Sequence, residues 1–312
     1  MKQGFFIFLV MIAISGFSQA PVTPAIYQEG TISTGLSERD MAISPDGNEM
    51  YYTMQSGSGV FSAILFKKKK ADGSWSTAEV APFSGMFSDL EPAFSHDGKS
   101  LFFCSNRPLT GDQKKDYDLW VMDRAGSGWS APRNLGPVIN TEANEYYPSV
   151  TKTGNLYFTA EYKDKGVGRE DIYVSKWVNG AYETATPLDT AVNSKAYEFN
   201  AFVSPDEQFI IFTSYGRKDD AGGGDLYISQ KNAAGQWTKA RNLVQLNSPR
   251  LDYCPYVSPD QKVLYFTSNR HALQPTYKKP VTLEELKKAY SGTMNGTDNI
   301  YWVSFPGVLT PK

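Results

Sequence analysis

Five carboxylates stand at matched intervals along this 312-residue chain: Glu38, Asp89, Glu145, Glu198 and Asp252, separated by 51, 56, 53 and 54 residues. Repeated acids of this kind can ring a cation or a polar ligand. They can equally accept charge-assisted hydrogen bonds from basic side chains and backbone N–H groups, locking neighbouring units together. Bases keep the same beat. Arg107, Lys163, Arg217 and Arg270 follow their acids by 18 or 19 residues, and only the first unit has a neutral residue, Ser56, in that place. Strict repetition favours the structural ring, because a ligand site normally breaks symmetry. The residues just after each acid do break it: Arg39 and Asp40, Glu91, Tyr146 and Tyr147, Phe199 and Asn200, Tyr253. Carboxylates mixed with aromatic rings suit a carbohydrate or peptide site. The expected ligand-binding set is therefore Arg39, Asp40, Glu91, Tyr146, Tyr147, Asn200 and Tyr253. If the protein is an enzyme, Asp40, Glu91 and Glu145 are the candidate carboxylates for glycoside cleavage.

The elements that position these residues also repeat. Six residues after each acid a turn opens, at Ser44, Ser95, Thr151, Ser204 and Ser258, in phrases such as "VSPDE" and "VSPDQ". A short run enters the turn; a second apolar run such as "LFFCS" or "LYFTS" leaves it. A third run, "DLWVM", "DIYVS", "DLYIS" or "NIYWV", is matched in the first unit by "AILFK". A fourth segment opens at Trp75, Trp129, Tyr182 or Trp237. Near-continuous apolar runs of four or five residues suit strands covered on both faces. Four antiparallel strands per unit and five units predict an all-β fold, a five-bladed β-propeller. The ends fit a closed ring. "ISTGLSE" (32–38) aligns with "INTEANE", "VNSKAYE" and "LNSPRLD", the links between later units, while the last unit stops after its third strand at "NIYWVSF". Residues 25–33 are the expected missing strand of the last blade, closing the ring and removing a free edge. The repeats run over about 37–87, 88–141, 142–194, 195–248 and 249–305, within one domain spanning 19–312.

The phrase P-x-[VF]-S-P-D-G-x-x-L-x-F-x-S-x-R followed by D-[LI]-Y resembles the WD40-like, TolB-type propeller repeat of exported bacterial proteins. The resemblance covers roughly 37–305 and implies a propeller, with six blades as the alternative to the five counted here. It implies no single function, since propellers bind, scaffold and catalyse.

The first twenty residues carry Lys2, an apolar run over 5–14 and then small residues, the layout of a cleaved secretory signal over 1–18. Pro21 disfavours cleavage after Ala20, and no cysteine stands at the junction for a lipid anchor. The expected location is outside the cytoplasm: periplasmic, outer-membrane-associated or secreted, without a transmembrane span. With 31 basic and 33 acidic residues, no excess of charge points to nucleic acid. Cys104 and Cys254 fall in non-adjacent units and are expected to be buried and unpaired. Two histidines, His96 and His271, are too few for a three-His metal site, and no cofactor is expected. The loop over 271–298 is far longer than its counterparts. It holds "TLEELKKAY" (282–290), in which Thr282 and Glu285 predict a capped helix able to lie across the site face through Leu283, Leu286 and Tyr290. The reading is a monomeric, non-enzymatic binding protein for a protein or cell-envelope glycan, with a carbohydrate-active hydrolase or lyase as the alternative.

Overall fold

The computed structural model describes residues 19–309 apart from 112, 114 and 164, so the expected signal, 1–18, lies outside the described residues. Five four-stranded antiparallel sheets form a five-bladed propeller. Blade 1 comprises Ser37–Ile43, Glu49–Gln55, Ser62–Lys68 and Glu79–Val80. Blade 2 comprises Asp89–Phe94, Ser100–Ser105, Asp118–Ala125 and Arg133–Asn134. Blade 3 has Glu145–Val150, Leu156–Ala160, Asp171–Ser175 and Thr186–Pro187; blade 4 has Tyr197–Val203, Phe209–Tyr215, Asp225–Gln230 and Arg241–Asn242. Blade 5 combines Asp252–Val257, Val263–Ser268 and Asn299–Ser304 with Ala25–Ile26 from the other end of the chain. The first strands touch one another in cyclic order and line the central channel.

Closure follows the expected plan with a shorter strand. Ala25 pairs with Trp302 and Ile26 with Tyr301, antiparallel. The Tyr27 N–H donates to the Ile300 carbonyl at 2.8 Å and the Ser304 N–H to that of Pro21 at 2.7 Å. Beyond Tyr27 the chain turns, and Ser33 rejoins the sheet through its hydroxyl, 3.1 Å from the Ile300 carbonyl.

Successive side chains of a strand point to opposite faces, so each blade feeds two interblade clusters. In blade 4, Ile210 and Phe212 pack with Tyr157 and Ile172 of blade 3, while Phe209 and Ile211 pack with Leu264 and Phe266 of blade 5. This double coverage explains why the second and third strands read as unbroken apolar runs. The tight turns need a left-handed residue three places after their opening residue. Gly47, Gly98 and Gly154 supply it in three blades; Glu207 and Gln261 take φ of 56° and 55° in the other two.

Cys104 and Cys254 are both buried and unpaired. The capped helix forms over Leu283–Ser291, with the Thr282–Glu285 capping box complete. It does not lie apolar side down on the face: Leu283 is 68% exposed and Tyr290 59%, while Leu286 is half-buried. Backbone and amide contacts hold the insertion instead. Asn295 donates to the Gly35 carbonyl at 3.0 Å and Thr297 to that of Leu36 at 2.7 Å, so the insertion clamps the chain just after the closing strand.

Deleting residues 19–33 should expose the edge of Asn299–Ser304. We expect a lower melting temperature and concentration-dependent aggregation in thermal scans and light scattering. A truncated protein that melts and disperses like the full chain would refute the closure.

Candidate functional site

The site begins with a backbone irregularity. The first strand of every blade slips register two residues after its acid, forming a β-bulge. At the slip stand Asp40, Glu91, Tyr147, Asn200 and Cys254, all with positive φ, between 49° and 59°. Such a conformation is uncommon for residues other than glycine and persists only where the surroundings impose it. A threonine from the preceding blade helps impose it. Thr267 accepts the Asp40 N–H at 3.3 Å, Thr53 that of Glu91 at 3.2 Å and Thr159 that of Asn200 at 3.0 Å. In blade 2 the equivalent residue is Cys104, and the Tyr147 N–H donates instead to Glu91 Oε2 at 2.7 Å.

The five acids before the bulges are fully buried and consumed by structure. Asp89, Glu198 and Asp252 pair with Arg107, Arg217 and Arg270 at 2.7, 2.8 and 2.8 Å. Each arginine also donates to a carbonyl of the incoming link, Phe83, Val192 or Leu246, and stacks over Phe103, Tyr227 or Tyr301. Glu38 and Glu145 have no arginine. They accept from the N–H and hydroxyl of Thr34 and Thr141 in the same link. Burial pushes the Glu145 carboxyl up to about 7. Lys163, expected in the base position of blade 3, is exposed. The second strand there is one residue shorter, so Tyr162 takes the arginine's seat and donates to the Ile139 carbonyl at 2.9 Å.

Beyond the bulges, side chains from all five blades meet and plug the channel. Arg39 Nε donates to Asp40 Oδ1 at 2.8 Å, and its Nη2 donates to Glu91 Oε1 at 2.9 Å. Asn200 donates to the same Glu91 oxygen at 3.2 Å, and the Tyr147 hydroxyl to the Pro255 carbonyl at 2.9 Å. Arg39 lies 3.5 Å from Cys254 Sγ and 5.0 Å over the Tyr253 ring. Asp40 Oδ2 is buried without a hydrogen-bond partner. Burial, and then the charge of Asp40, push the Glu91 carboxyl well above the usual carboxylate range, to about 8, against the opposing pull of Arg39.

The plug divides the channel into two cavities, and Glu91 touches both. On the turn side is an apolar funnel of about 190 Å³ walled by Pro92, Pro148, Phe202, Pro255 and Tyr256. On the side of the variable loops is a mouth cavity of about 320 Å³, where Tyr117, Tyr146, Phe199 and Tyr253 surround Arg39 and Asn200. Glu170 stands at its rim, its carboxyl raised by burial and by the charge of Glu161. Among the described residues no cluster of three His, Cys, Asp or Glu side chains could hold a metal.

The structure thus brings together Arg39, Asp40, Glu91, Tyr147 and Asn200 in the plug and puts Tyr146 and Tyr253 in the mouth wall. Glu145 is not with Asp40 and Glu91; it belongs to the buried ring, so the three candidate carboxylates do not form one site. Glu91 and Asp40 face no open solvent, being only 3% and 2% exposed. The bulge turns them inward against Arg39. Tyr117 and Glu170 stand at the same place, immediately before the third strands of blades 2 and 3, but no shared residue type marks that place. Cys254 had a signal: it lies two residues after its acid, like the other four.

These carboxyl groups make stability depend on pH with a definite sign. An unfolded glutamate loses its proton near pH 4.3, whereas Glu91 in the fold keeps it to a higher pH. Between those values the folded state binds more protons than the unfolded, so stability falls as pH rises. Glu145 acts in the same sense up to about pH 7. Denaturant titrations from pH 5 to 9 should show that Glu91→Gln abolishes the part of the decline above about pH 7. An unchanged profile would contradict the assignment.

No family model and no curated protein matches the chain. Among solved structures, the protein of an RGII complex aligns with a TM-score of 0.54 and 10% identity, over 94% of this chain and 92% of that protein. TolB from Acinetobacter baumannii aligns at 0.49 and 16% identity, over 86% of this chain and 55% of TolB, so this chain spans about half of TolB's length. An α-L-arabinofuranosidase from Podospora anserina, solved with cellotriose, aligns at 0.47 and 10% identity, over 92% of this chain and 95% of the arabinofuranosidase. At these identities the similarity is one of fold, the β-propeller.

Proposed function

We propose that the protein is an exported, monomeric, non-enzymatic propeller that binds an envelope glycan or a segment of a partner protein in its channel mouth. The observation that carries this reading is the separation of roles along each first strand. The repeated acids are buried against arginines of their own blade or against the incoming link, while Arg39, Glu91, Tyr146, Phe199, Asn200 and Tyr253 beside them converge on one cavity with aromatic walls and a polar floor. Concave sites with apolar walls and a few fixed polar groups are the usual form of a ligand pocket. Arg39 is held by Asp40 and Glu91 through Nε and Nη2, and Nη1 makes no hydrogen bond among the described residues, which suits it to an incoming acceptor. Export rests on the N-terminal pattern; among the described residues no helix is long and apolar enough to cross a membrane.

One observation favours a hydrolase. Asp40 and Glu91 share Arg39 but differ in environment, the arrangement that separates an acid from a base. Their burial and their ties to Arg39, Tyr147 and Asn200 oppose it, because Glu91 already accepts on both oxygens and Asp40 lines neither cavity.

Calorimetric titration with envelope glycan fragments and peptides, with products assayed in parallel, tests the reading. Saturable binding without product is expected, weakened roughly tenfold by Phe199→Ala or Tyr146→Ala. Release of product would move the assignment to catalysis, and binding indifferent to both substitutions would remove the mouth as the site.

A further inference from the structure

Blades 1, 2 and 4 dress their outer edges alike. A cation at the end of the third strand lies over the tryptophan that opens the fourth: Lys69 over Trp75 at 5.9 Å, Arg124 over Trp129 at 3.8 Å, Lys231 over Trp237 at 5.0 Å. These pairs also seal the cleft to the preceding blade. Trp129 donates to the Tyr51 hydroxyl at 2.9 Å, and Arg124 pairs with Glu49 of blade 1. Glu207, paired with Lys231, accepts from Tyr157 of blade 3 at 2.9 Å, and Trp75 packs on the cluster that contains Tyr27 and Tyr265 of blade 5. The remaining cleft to blade 4 is filled by Phe305 and Val308.

Blade 3 departs from this scheme on both sides of its cleft. Trp177 stands where the cation should be and Tyr182 where the tryptophan should be, their rings 4.6 Å apart and edge-on at 66°. Across the cleft, blade 2 offers Phe102 where Tyr51 and Tyr157 stand in their blades, so the partner hydroxyl is missing as well. What remains is a cleft of about 750 Å³, larger than either channel cavity. Its apolar wall is Phe102, Leu135, Val150, Trp177 and Tyr182.

Trp177 is 43% exposed, yet it is fixed in place. Gly154 lies beneath it, with a φ of +88° and so little room that an added Cβ would sit 3.0 Å from the indole. The Trp177 backbone N–H donates to Asn155 Oδ1 at 3.0 Å, and Tyr182 braces the ring from the side. An indole held in place by a glycine floor and left open on its other side is a preorganised platform, for which binding requires little further ordering. The rim balances its charges: Asp97 and Asp123 against Arg133 and Lys152, with Arg133 and Asp123 paired at 3.4 Å. A balanced polar rim supplies donors and acceptors without selecting for net charge. It is a poor match for a lipid tail or an unbroken apolar helix face, which would leave those groups unpaired.

We propose that the cleft between blades 2 and 3 is a second binding site, for a neutral oligosaccharide laid with one sugar ring against Trp177 and its hydroxyls on the charged rim. The site shares no residue with the channel mouth and does not depend on the role of the mouth.

Tryptophan fluorescence and calorimetry on the full mature chain, with cellohexaose, chitohexaose and maltohexaose as probes, test it. At least one probe should bind, roughly tenfold or more weakly to Trp177→Ala, near normally to Trp177→Tyr and unchanged to Tyr146→Ala in the mouth. Arg133→Ala, on the exposed rim and harmless to packing, should weaken the same probe severalfold and serves as the second reading if Trp177→Ala misfolds. Binding by none of the three probes, or binding that ignores both Trp177→Ala and Arg133→Ala, would overturn the proposal. So would a probe whose binding is lost in Tyr146→Ala but kept in Trp177→Ala.

Discussion

One backbone constraint organises the molecule: the positive-φ bulge in the first strand of every blade. Without it, alternation would carry the residue two places after each acid to the acid's own side of the strand. The bulge resets that alternation. The acid stays buried against its own blade and the incoming link, and the residue two places on turns towards the other blades. Five such resets around one axis produce a channel filled by its own strands. Four of the five left-handed residues are held by hydrogen bonds from neighbouring blades, three of them through the ring of threonines.

The same arrangement explains why the carboxylates behave differently. Ring acids meet either an arginine anchored on aromatic faces or the N–H and hydroxyl of a link residue, so each is tied to the chain arriving from the previous blade. The plug acids meet one another. Arg39 is shared between Asp40 and Glu91, and one cation serving two buried carboxyls leaves the pair electrostatically frustrated, with Glu91 raised and an Asp40 oxygen unpartnered. Where Cys104 replaces the ring threonine, Glu91 also supplies the missing acceptor for Tyr147. Glu91 is thus the residue that joins blades 1, 2, 3 and 4.

Much of the fold was legible because its periods are rigid. Apolar runs, turn residues and links recur with little drift, and the unmatched ends point to each other across the closure. The buried ring was legible for the same reason, down to the pairing of Arg107, Arg217 and Arg270. Shifts of a single residue were not. The shorter second strand of blade 3 moved the base position from Lys163 to Tyr162, a slip marked in the sequence only by an apolar run that begins one residue early, at Leu156. Burial of Glu91 escaped because it follows from the bulge, and a bulge leaves no composition signal when five different side chains occupy it. The helix over Leu283–Ser291 was visible through its capping box, but its orientation was not, because polar anchors at Asn295 and Thr297 place it rather than its apolar stripe. The open cleft beside Trp177 becomes visible only when each blade's edge is compared with the others in space.

We expect the ring acids to contribute more to stability than the plug residues two places on. Glu198 and Asn200 on one strand test this most directly, by equilibrium denaturation of Glu198→Gln and Asn200→Gly. Glu198→Gln leaves the half-buried Arg217 without its counter-charge and should lose roughly 1–3 kcal/mol. Asn200→Gly gives up one 3.2 Å hydrogen bond to Glu91 but relieves a φ of 49°, and should lose less than about 1 kcal/mol. A larger loss from Asn200→Gly than from Glu198→Gln would contradict the account.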